Sequence, residues 1–172
     1  MFQSERSGYS HLYSFDIHSG RVNALTSGEF EIRSITKSIK ENKLFITCNR
    51  SHPGDRNFFT LNLNNGAFIP VLKDEGAYEV FVSPNESYMA YRHSTSIKPW
   101  ELYLSKLKAG AEPLQITMST TKEFNSYKWV KPEFIDFKAD DGETVYARVY
   151  EPKAELKNGA AVFFVHGAGY LQ

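Results

Sequence analysis

The chain has 172 residues, 20 Lys+Arg against 20 Asp+Glu, and a pI near 7.0. That length fits one domain or one and a fraction, and 41% hydrophobic residues suffice for a packed core. No basic excess argues for nucleic acid, and no polybasic tract argues for an anionic membrane.

The N-terminal stretch MFQSERSGYSHLYSF lacks the basic-then-apolar order of a signal peptide, and no run approaches the ~20 apolar residues of a membrane span. Aromatic residues make up 15% of the chain, which favours pleated sheet. The first predicted element is a hairpin. HLYSFDIHSG (His11 to Gly20) alternates apolar and polar residues into a Gly-marked turn, and RVNALT returns from it. FEIRSITKSIKENKLFITCNR follows as strand, turn and strand, with Lys40-Glu41-Asn42 in the turn. The single cysteine, Cys48, lies in this second strand and reads as a small buried hydrophobe.

After the charged loop Arg50 to Arg56, read as exposed, the hairpin pattern returns. NFFTLNLNNG (Asn57 to Gly66) precedes AFIPVL, and ELYLSKLKAG (Glu101 to Gly110) precedes EPLQIT. Gly20, Gly66 and Gly110 are 46 and 44 residues apart. Between the last two hairpins, YEVFVSPNESYMAYRHS (Tyr78 to Ser94) is a strand, a Pro84-Asn85 turn and a second strand. A repeat of this length with four strands fits the blade of a β-propeller. Residues 1–117 thus read as the outer hairpin of one blade and two further blades, about two and a half in all. An antiparallel sandwich is the competing architecture.

Residues 118–132 break the pattern and read as an irregular linker. A new unit spans 133–172. Phe134–Lys138 and Thr144–Tyr150 alternate around Asp141-Gly142, a strong hairpin turn, and Pro152 ends the second strand. Ala160–Val165 is a continuous apolar run, expected as a strand buried on both faces. It leads into His166-Gly167-Ala168-Gly169-Tyr170.

Four segments carry a family resemblance: SERSGYSHLYSFDIHSGRVNALTSGEFEI, SPNESYMAYRHS, PEFIDFKADDGETVYARVYEP and VFFVHGAGYLQ. In this order the chain resembles the prolyl oligopeptidase family of serine peptidases, in its dipeptidyl peptidase IV-like branch. The resemblance implies late propeller blades followed by the first strands of an α/β-hydrolase domain. It implies cleavage of oligopeptides by a Ser-Asp-His triad, with no cofactor and no metal, and is compatible with a homodimeric, periplasmic or otherwise exported parent. The family's nucleophile elbow is G-x-S-x-G, and the chain contains none. The triad is therefore expected beyond Gln172, and the chain alone is expected to be inactive. A non-catalytic propeller-type binding module, or an acylaminoacyl-peptidase or esterase relative, is the alternative reading.

On the same resemblance, residues 166–170 form an oxyanion loop. Such a loop supplies one donor to the negative oxygen of acyl transfer, and glycines let the backbone approach it. The dipeptidyl peptidase IV branch has a Tyr where this chain has His166. His166 as a loop anchor and Tyr170 as a hydroxyl donor both stay open. His11, His18, His52 and His93 lack a second ligand at metal spacing, and Asp140-Asp141 reads as a turn pair.

Overall fold

A computed structural model of the chain describes residues 1–165. Its contacts divide into two units, Met1–Thr120 and Thr121–Gln172.

The first unit holds three antiparallel sheets. Strands β1 (Phe2–Ser4), β2 (His11–Phe15) and β3 (Val22–Ala24) form the first, in that order. Strands β4 (Ile32–Lys37), β5 (Lys43–Cys48), β6 (Asn57–Asn62) and β7 (Phe68–Leu72) form the second as an up-and-down meander. Strands β8 (Ala77–Val82), β9 (Tyr88–Thr95), β10 (Lys98–Lys106) and β11 (Leu114–Gln115) repeat that order in the third. The predicted hairpins are thus present, and their glycines adopt one conformation. Gly20, Gly66 and Gly110 have φ of 70°, 72° and 70°, a region closed to most side chains.

The sequence predicts two strands in the first sheet, and the structure adds β1. At three residues β1 is too short to show alternation. Its pairing of Phe2 with Tyr13, whose rings stack at 5.7 Å, defines it.

Two cores lie between successive sheets, and β5 serves both. Leu44, Ile46 and Cys48 pack with Leu12, Phe30, Ile32, Phe59 and Leu61. From the opposite face Phe45 joins Phe58, Tyr78, Met89, Tyr91 and Tyr103. Every residue from Leu44 to Cys48 is buried, so this strand is covered on both faces. Each large apolar side chain buried here contributes about 1.5–3 kcal/mol.

In the second unit, the expected linker contains α1 (Lys122–Ser126). Thr121 caps it, its hydroxyl accepting from the Phe124 N–H at 3.0 Å, and Trp129 folds back to donate to the Phe124 carbonyl. Five residues are too few to display a helical period. Strands β12 (Glu133–Lys138) and β13 (Thr144–Val149) form the predicted hairpin in full register, Glu133 opposite Val149 and Lys138 opposite Thr144.

Ala160–Val165 departs from expectation. It is not a strand, and Val162, Phe163, Phe164 and Val165 are 97%, 88%, 87% and 92% exposed. A strand covered on both faces needs a neighbour on each edge and a layer on each side. No described strand is hydrogen-bonded to it as a sheet neighbour.

Candidate functional site

The oxyanion loop read from the sequence, His166 to Tyr170, lies outside the described residues. The remaining candidates fall on the first unit, where side chains converge at the end of the third sheet.

There the loop from Arg50 to Arg56 meets the start of β8. Only Arg50 and Ser51 are exposed, and His52 to Arg56 are half-buried, which corrects the reading of an exposed, solvated loop. Asp55 Oδ1 accepts the Gly76 N–H at 2.8 Å. The Arg56 N–H donates to the Gly76 carbonyl at 2.9 Å, and the Arg56 carbonyl accepts from the Tyr78 N–H at 2.9 Å. Arg56 thereby bridges in parallel to Ala77 and ties the second sheet to the third.

Beside this link the His93 ring lies flat on Tyr78, with centroids 4.1 Å apart and planes within 5°. His93 Nε2 sits 2.9 Å from the Glu75 carbonyl. Tyr91 stacks on Tyr103 at 5.5 Å, and Lys98 Nζ donates to the Tyr103 hydroxyl at 3.0 Å. Burial pushes the Tyr78 phenol well above its ordinary value, and Asp74, Tyr91 and Asp55 add to that push. Burial also raises the Tyr91 phenol, with help from Tyr103 and Asp74. These phenols therefore stay protonated as hydrogen-bond donors, and the cluster has packing and recognition chemistry rather than a nucleophile.

A cleft of about 180 Å³ opens between the second and third sheets. Hydroxyls of Ser34, Thr36 and Thr47 line it with Phe58, Val80 and Phe81, and no ionisable side chain reaches it. Cys48 is fully buried, and burial raises its thiol to about 11, so it is inert, in agreement with its reading as a core residue. Asp141 Oδ1 accepts the Glu143 N–H at 3.0 Å and serves the hairpin turn. Among the described residues no group of three His, Cys, Asp or Glu side chains could hold a metal.

One set of polar residues escaped the sequence reading. His11, Asn57 and Glu101 lie on the second-from-last strand of their sheets, each at the head of its repeat segment, and all three are buried at 2% exposure or less. His11 Nδ1 lies 3.1 Å from the Thr26 hydroxyl and Nε2 2.8 Å from the Gly28 carbonyl. Glu101 accepts from the Thr117 hydroxyl, and from the Ser119 N–H at 2.7 Å and its hydroxyl at 2.8 Å. Asn57 Nδ2 donates to the Asp74 carbonyl at 3.0 Å. Each residue fastens the chain as it leaves the outermost strand. The signal was present in the repeat alignment, as a polar residue where alternation called for an inward side chain.

Comparison with known proteins identifies the fold that carries these features. A family model described as the dipeptidyl peptidase IV (DPP IV) N-terminal region matches residues 1–100. The chain belongs to this DPP IV family. Dipeptidyl peptidase 4 of Trichophyton equinum is 27% identical over 149 residues, covering 83% of this chain and 19% of that protein. A probable dipeptidyl peptidase 4 of Trichophyton verrucosum is 28% identical over the same length, covering 20% of its own. The chain thus spans about a fifth of the curated relatives it matches. The crystal structure of Porphyromonas gingivalis dipeptidyl peptidase 4 superposes with a TM-score of 0.68 at 17% identity. That match covers 87% of this chain and 22% of the solved one, a likeness of fold. The DPP IV family match takes in the first two sheets and β8 and β9, including the Arg56 link and the Tyr78–His93 stack.

Proposed function

We propose that the chain is an internal part of a serine peptidase that hydrolyses short peptides in the manner of dipeptidyl peptidase or prolyl oligopeptidase. Residues 1–117 are the late blades of its propeller, 118–132 the linker, and 133–172 the entry to an α/β-hydrolase domain. The observation that carries the reading is the DPP IV family match over residues 1–100, joined to meander sheets repeating at propeller spacing. In the intact protein the propeller would restrict access to oligopeptides, and Ser, Asp and His beyond Gln172 would cut them. Residues 166–170 would offer one donor of the oxyanion hole, where a lost donor costs roughly 3 kcal/mol. The intact protein is a candidate homodimer.

This assignment makes the 172-residue chain inactive by itself, because no acyl-enzyme forms without a nucleophile. Fluorophosphonate labelling and turnover of a chromogenic dipeptide should both stay at background. The parent chain extended through the following ~150 residues should label and turn over. Labelling of the short chain, or no G-x-S-x-G with a later Asp and His in the extension, would overturn the proposal in favour of a binding module.

A further inference from the structure

Glu86 is the one non-glycine among the described residues with positive φ, at 50°. It stands in the Ser83-Pro84-Asn85-Glu86-Ser87 turn, whose Glu86 N–H donates to the Ser83 carbonyl at 2.8 Å. Glycine or asparagine would hold that conformation at less cost. The side chain shows what the strain is spent on. Its carboxylate leaves its own sheet and reaches the β4–β5 turn of the preceding one. Oε1 accepts the Ile39 N–H at 2.6 Å, and the two oxygens accept the buried Ser38 hydroxyl at 2.9 and 2.7 Å. Ser38 then accepts from the N–H groups of Lys40 and Glu41 at 3.2 and 3.0 Å, so the carboxylate organises the whole turn.

We propose that Glu86 is a clasp between the two four-stranded sheets, and that it lets go when its carboxylate takes up a proton. A neutral carboxyl is a weaker acceptor and must turn one oxygen into a donor, while Ile39 offers only an N–H. Burial pushes the Glu86 carboxyl up, but the Ser38 hydroxyl, the Ile39 and Lys40 N–H groups and the Lys43 charge outweigh it and hold the group below the ordinary glutamate range. The charged side chains on the facing elements are Lys37, Lys40, Glu41 and Lys43, with Lys43 bridged to Glu41 at 3.0 Å. Lys106 and Lys108 flank Leu107, whose N–H donates to the Ser87 carbonyl at 3.0 Å. Because the folded value is depressed, the clasp is complete above the unfolded value of about 4.3 and is lost as pH falls through the folded one. The cleft lined by Thr36 and Val82 lies between the same two sheets, so the clasp also limits how far that cleft can open.

The test is a double-mutant cycle on the full chain, Ser38→Ala against Glu86→Gln, followed by denaturant unfolding at about pH 7 and about pH 2. The expected coupling is roughly tenfold in the unfolding equilibrium near neutrality and close to none in acid. Additive effects at neutral pH, or coupling that persists undiminished in acid, overturn the clasp. Hydrogen exchange at the Ile39 amide gives a readout that does not depend on global unfolding. Glu86→Gly relieves the backbone strain, so a mere turn-filler would leave Ile39 exchange unchanged. A clasp predicts roughly tenfold faster exchange at Ile39 in that variant.

Discussion

At the scale of single residues, Gly76 is the position with the least latitude. Its φ is 113°, and a Cβ built there would stand 2.1 Å from the Ser94 carbonyl oxygen and 3.1 Å from His93 Nε2. The obstacle is backbone, which cannot swing aside, so Gly76→Ala should cost about 3 kcal/mol or more. The unfolding midpoint in denaturant measures it, and a near-neutral outcome would mean that β8 does not approach β9 as described. Glu101 makes a different kind of prediction. The Thr117 hydroxyl holds its carboxyl below the ordinary range, against the opposing push of burial, with help from Ser119 and from the Lys98 charge. Its folded value lies below the unfolded one, so its stabilisation is present above about pH 4.3 and drains away as acid approaches the folded value. Stability should fall on acidification, and Glu101→Gln should flatten that fall while lowering stability at neutral pH. A slope unchanged by the substitution would remove Glu101 from the acid response.

At the scale of elements, the three repeats are close enough for one to diagnose another. Leu25, Leu72 and Ile116 are equivalent, at the end of the outermost strand or one residue past it and facing Leu12, Phe58 and Leu102, and Thr26, Lys73 and Thr117 follow them. Thr26 and Thr117 each take a strand N–H, from Leu12 at 3.0 Å and Leu102 at 2.8 Å, and each bonds the buried polar residue beside it. Lys73 has no hydroxyl, and in that repeat Asn57 Oδ1 is buried without a partner. Lys73→Thr should restore the missing donor and stabilise the chain by about 1 kcal/mol. Thermal unfolding of the single variant checks it, with no gain expected when Asn57→Ala is already present. The repeat hairpins, their glycine turns and the β12–β13 hairpin could all be read from alternation and turn chemistry. Strand β1 and helix α1 could not, because three and five residues are shorter than the periods that would betray them.

At the scale of the whole molecule, two apolar runs of similar composition have opposite outcomes. KLFITC became the strand shared by two cores, and AAVFFV is exposed. The second run has strand propensity, no charge and no proline, the makeup of a self-associating segment. The chain should therefore scatter light in a concentration-dependent way, and Phe163→Lys with Phe164→Lys should suppress that scattering without shifting the unfolding midpoint of Met1–Thr120. Scattering that survives both charges would move the sticky surface elsewhere. Of the candidate site, the glycine loop at residues 166–170 was conspicuous in sequence. The polar anchors His11, Asn57 and Glu101 and the Glu86 clasp were not, since their partners lie 15 to 48 residues away.

What this sequence determines by itself is local: period-two alternation, Gly-marked turns and a spacing of 44 to 46 residues between them. Those follow from backbone sterics and from each residue's own preference, and they suffice to define the repeating sheets. Only the tertiary structure decides which face of a strand is buried, which polar side chains are fastened inside, and why Glu86 tolerates a left-handed backbone. Burial and long-range hydrogen bonding need a second surface, and β5 finds a sheet on either side whereas Ala160–Val165 does not.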